Sequence, residues 1–172
     1  MVRAGPVAAE MNDAAVRLEA AAAVVRRHAG GLRYHPHTGI TTPPGIEMRQ
    51  ALAYMRESLT RLPVWVEAFA REDSAGTPSV LPAEVVEGPP RLVALADALR
   101  SALEALEGVL TQPERATLDA PYGLGAPRRP HPGALASWVA ERAEALAREL
   151  AMQAILRANL TLPTAEARRT SR

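Results

Sequence analysis

Apolar residues recur every three or four positions in four separate stretches of this chain, with proline and glycine between them. From about Val7 to Ala29 the stripe is Met11, Ala14, Leu18, Ala21 and Val25, closed by Gly30-Gly31, which predicts an amphipathic helix with a glycine stop. The second helix, about 44–72, follows Thr42-Pro43-Pro44 and lines up Met48, Leu52, Met55, Leu59, Leu62, Val66 and Phe69, with Pro63 expected to kink or split it. The third, about 90–111, follows Pro89-Pro90 and carries Leu92, Leu95, Leu99, Leu103, Leu106 and Leu110. The fourth, about 133–160, sets Leu135, Trp138 or Val139, Ala143, Leu146, Leu150 and Ala154 inward. Glu141, Glu144, Arg148, Glu149 and Arg157 are expected outward, with Glu144 and Arg148 as an i,i+4 pair.

No stretch alternates in the manner of a strand, so the expected fold is all-α: a single-domain antiparallel (up-down) four-helix bundle over residues 1–162 with long interhelical loops. The connections are Leu32 to Thr42, Asp73 to Gly88 and Gln112 to Pro132. The middle one has enough apolar content, in Val80-Leu81-Pro82 and Val85-Val86, to pack across the bundle and to admit a short extra helix near 82–87. Residues 163–172 have little apolar content and are expected to be a disordered tail. A shift of 88 residues lays Tyr34, Pro44 and Gly45 on Tyr122, Pro132 and Gly133, and Met11, Ala14 and Leu18 on Leu99, Ala102 and Leu106, a weak sign of two related hairpins.

Composition changes this picture in two ways. With one Phe, two Trp and three Tyr, the core has to be built from Leu, Val, Met and 35 alanines, whose small side chains let helices approach closely. All 20 basic residues are Arg, which fits the codon bias of a GC-rich genome, such as that of a high-GC bacterium. Set against 19 acids they leave a formal charge of +1, so no global field draws in nucleic acid or an anionic membrane. The absence of cysteine excludes disulfides, thiolate metal sites and a cysteine nucleophile. No targeting or membrane-spanning stretch is visible, so the expected location is cytoplasmic.

In an up-down bundle the first and third connections share an end. That would bring Arg33, Tyr34, His35 and His37 beside Tyr122, Arg128, Arg129 and His131, with Arg26, Arg27, His28 and Arg115 near the same level, opposed chiefly by Glu47, Glu114 and Asp119. Arginine forks and tyrosine rings suit an anionic ligand, and polar loop residues in general suit a partner surface or plain solvation. His28, His35, His37 and His131 would be the ligands of a metal site if one existed, with Glu47 as an oxygen donor or base. However, no His-Glu-x-x-His or paired Glu-x-x-His supports one, so no metal or cofactor is expected. No nucleophile motif or phosphate-cradling glycine loop stands out either, and Trp65 and Trp138 are expected to pack in the core.

These features favour a non-enzymatic or accessory protein that binds a protein partner or an anionic small molecule through its His/Arg/Tyr-rich end. A small enzyme with a pocket at that end, metal-dependent or cofactor-free, is the first alternative, and an oligomeric assembly protein is the second. Nucleic acid is a less favoured partner, because helix arginines are interleaved with glutamates.

Overall fold

A computed structural model describes residues 4–32, 34–35, 40–41, 44–74, 81–111 and 132–161. Four helices carry the fold: α1 (Ala4–Ala29), α2 (Ile46–Ser74), α3 (Ala83–Thr111) and α4 (Pro132–Thr161). Each packs antiparallel to its neighbours in the order α1, α2, α3, α4 and back to α1. Contacts at two levels show the direction: Arg61–Glu10 and Arg27–Glu47 between α1 and α2, Arg56–Glu107 and then Leu62 to Ala70 facing Val93 to Arg100 between α2 and α3, and Arg91–Glu149 and Gln153–Glu84 between α3 and α4. Arg26–Glu144 closes the ring. The chain is therefore the antiparallel all-α bundle expected from its periodicity. Every stripe residue of the first helix is buried, and so are Met48 to Phe69 on the second, except for a half-buried Val66.

The four seams are unequal, and side-chain size accounts for it. Six buried alanines on α1 and five on α4 let those two backbones approach closely, and theirs is the most extensive interface. Helix α2 buries Met48, Leu52, Met55, Leu59, Leu62, Trp65 and Phe69 but only one alanine, and its seam with α3 is the thinnest of the four. Met11, Ala14 and Leu18 and their counterparts Leu99, Ala102 and Leu106 are all buried, but exchanging the two hairpins would exchange the tight α1–α4 seam with the loose α2–α3 seam. The packing therefore departs from two-fold symmetry.

Pro63 lies inside α2, which runs on past it. Other local expectations need correction. The separate helix near 82–87 is the beginning of α3, which starts at Ala83 and runs through Pro89 and Pro90. Its first turn is closed by the Pro82 carbonyl, which accepts from the N–H groups of Val85 and Val86 at 3.0 and 3.3 Å. The first connection holds a two-residue antiparallel ladder, β1 (Tyr34–His35) with β2 (Ile40–Thr41), too short to leave a periodic signal.

Glu149 and Arg157 are buried, although the helical pattern placed them outward. A proline has no N–H, so Pro89 cannot bond the Val85 carbonyl one turn back. That carbonyl instead faces Arg157 Nη2 at 3.5 Å, and the Glu84 carbonyl accepts from Gln153 Nε2 at 2.9 Å. Arg157 also pairs with Glu72 at 3.5 Å and stacks 4.0 Å from the Phe69 ring centroid. Glu149 faces Gln153 Nε2 at 3.4 Å and Arg91 at 3.7 Å. Arg157 on α4 thus supplies the donor that Pro89 denies to the Val85 carbonyl, and Gln153 adds a second contact from α4 to the same turn of α3. Gln153 lies flat against Gly88, where any side chain would overlap its amide.

Candidate functional site

The antiparallel order puts the C-terminal ends of α1 and α3 and the N-terminal ends of α2 and α4 at one pole, so the first and third connections leave from the same end. Tyr34 and His35 form β1 there. Arg33, His37, Tyr122, Arg128, Arg129 and His131 lie outside the described residues, as do Glu114, Arg115 and Asp119.

The described part of this pole is charge-balanced. Arg26 makes a bidentate contact to Glu144, with Nη2 2.9 Å from both carboxylate oxygens. This takes Glu144 away from Arg148, its expected i,i+4 partner. Arg27 reaches Glu47 at 3.4 Å, and His28 Nε2 lies 2.9 Å from the same carboxylate oxygen. Among the described residues no three His, Asp or Glu side chains cluster as metal ligands.

Glu47 stands in the first turn of α2, where the helix dipole also favours a carboxylate. Its carboxyl is held below the usual range by the hydrogen bond with His28 first, then by the charge on Arg27, then by that on His28. A depressed carboxyl contributes stability that is present above the ordinary carboxylate pKa and lost as pH falls through the lowered value. The melting temperature of the native chain should therefore exceed that of Glu47→Gln near neutral pH, with the gap closing as acidification passes through and below the ordinary carboxylate range. A gap independent of pH across that range would contradict the assignment.

The second locus is the α2–α3 seam, which the helix pattern did not single out. It is pinned at both ends. Arg56 pairs with Glu107 near the pole just described, and Arg157 is wedged between Phe69 and Glu72 of α2 and Val85 of α3 at the other end. Between the pins the helices leave two adjoining concavities that share Arg100. One, of about 300 Å³, lies among Leu59, Thr60, Leu103 and Glu104. The other, of about 350 Å³, lies among Leu62, Pro63, Val66, Val93 and Ala96. Together they extend from Val93 to Glu107 along α3, about 21 Å at the rise of an α-helix.

The floor is apolar and the rim charged. Val93 is 42% exposed at one wall, and next to Pro63 on the other helix Val64 is 64% exposed. Arg100 is held by Asp97 at 2.6 Å and Glu67 by Arg71 at 2.5 Å, whereas Glu104 is in no ion pair among the described residues. The available signal in the sequence was the doublet Leu92-Val93: two adjacent apolar residues widen the apolar arc of α3 beyond what one core seam uses.

Family models, characterised proteins and solved structures were compared with this chain, and none matches. Among the described residues no helix is long and apolar enough to cross a membrane.

Proposed function

We propose that this chain is a non-catalytic helical-bundle module that binds another protein, and that its docking surface is the groove between α2 and α3. One observation carries the reading. The other seams are closed by intimate packing, whereas this one leaves two adjoining concavities floored by Leu59 and Leu103 and by Leu62, Val66, Val93 and Ala96. Antiparallel helix pairs that present such a floor are suited to receive a third helix, whose anchors at i, i+3 or i+4 and i+7 fill it.

The His/Arg/Tyr-rich end is the second reading, favoured by the shared pole of the two connections. It would suit an anionic small molecule or a protein, with Arg33, Tyr34, His35, His37, Tyr122, Arg128, Arg129 and His131 as its contact residues. A cytoplasmic setting and a bacterial source with a GC-rich genome belong to this proposal on composition alone.

Selection of displayed helical peptides against the folded protein separates the two readings. The groove reading expects selected peptides to lose binding to Val93→Asp and to keep it with Arg128→Ala/Arg129→Ala. The reverse pattern would move the function to the pole.

A further inference from the structure

We infer that the occupant of the α2–α3 groove is an amphipathic helix of another protein whose apolar stripe is flanked by arginine or lysine. This rests on the reading of the seam as a docking surface and names what docks there.

Charge points to that partner. Glu67, Asp97, Glu104 and Glu107 line the groove; Arg71, Arg100 and Arg56 answer three of them, which leaves the rim one carboxylate in excess, at Glu104. Arg56 and Arg100 are each already engaged with an acid of the rim, and Glu104 has no ionic partner among the described residues. An incoming basic residue would meet an available carboxylate at Glu104. Complementary charge of this kind raises encounter rates and fixes orientation more than it adds affinity. Affinity has to come from apolar side chains entering beside Val66 and Val93.

The same charge argues against a second copy of this chain. A symmetric pairing of two α2–α3 faces would bring the unpaired Glu104 of each copy into one interface, with no additional base to answer either. The length fits a helix too. The apolar lining of α3 runs from Val93 to Leu103, about 15 Å, which accepts roughly 10 residues of α-helix.

The test is fluorescence anisotropy on the whole chain with two synthetic peptides of about 16 residues. They share leucines at helical spacing; one carries arginine at the flanking positions and the other glutamate. The arginine peptide should bind at least about tenfold more tightly, a preference that shrinks with added salt. Glu104→Arg should weaken it about fivefold, and Val93→Asp should remove binding. Glu104 is exposed and its substitution leaves the core intact, so the charge arm stands even if Val93→Asp unfolds. Equal binding of both peptides, lost in Val93→Asp, would keep the groove as a docking surface and overturn the basic partner. Binding of neither would overturn both. A dimer by light scattering that Val93→Asp dissociates would make a second copy the occupant and also overturn the proposal.

Discussion

Arg157→Ala should lower the unfolding free energy by about 3 kcal/mol, read as a shift of the urea midpoint at unchanged slope. Breaking a buried ion pair by removing one partner costs about 3–5 kcal/mol, and the lower end applies because the Glu72 side chain keeps 13% of its exposure. The change also leaves the Val85 carbonyl without its guanidinium, in a turn where Pro89 offers no replacement donor, and removes the flat group stacked over Phe69. The double variant Glu72→Gln/Arg157→Met should recover most of the loss, because it removes the buried charges together and keeps a side chain of similar length. A loss under about 1 kcal/mol for Arg157→Ala would mean that the seam is not pinned there.

The second large effect turns on a sign. In the interior of a helix, glycine to alanine normally stabilises by about 0.5–1 kcal/mol. At Gly88 the added methyl would overlap the Gln153 amide, which is fully buried and donates to the Glu84 carbonyl, so it cannot step aside without breaking that bond. Gly88→Ala is therefore expected to destabilise by about 1–3 kcal/mol. In a Gln153→Ala background the same change meets no amide, and the part of the loss due to that overlap should disappear, leaving only the cost of a Cβ before Pro89. A double-mutant cycle measures the difference. Stabilisation by Gly88→Ala in the native background would show that Gln153 does not lie against it.

These two sites mark where the sequence stopped being legible. The four stripes were readable because leucine, methionine and alanine repeat at the helical period, and they lead directly to the buried faces of all four helices. The start of α3 was not, since Pro89-Pro90 ordinarily ends or begins a helix. The donor that stands in for the one Pro89 lacks sits more than 60 residues away, on Arg157. The same long-range contact explains why Glu149 and Arg157 were placed outward: periodicity assigns polar residues to solvent and does not register a proline pair on a neighbouring helix.

The candidate sites were legible to different degrees. That the first and third connections share a pole follows from alternating helix direction alone, and the helix ends are placed in that way. The pairing of Arg26 with Glu144, and of Arg27 and His28 with Glu47, depends on which faces meet across the bundle and had no local signature. The groove was hidden for a related reason. It arises from a difference between seams, alanine-rich at α1–α4 and built from bulkier side chains on the α2 side of α2–α3, and no single helix reports that difference.

The most direct test of the groove as a docking surface is two-dimensional amide NMR of the isotopically labelled chain during titration with the arginine-flanked helical peptide. Amide shifts confined to residues 59–70 of α2 and 93–107 of α3 are the expected result. Shifts clustered on α1 and α4, or at the pole around His28 and Glu47, would contradict it.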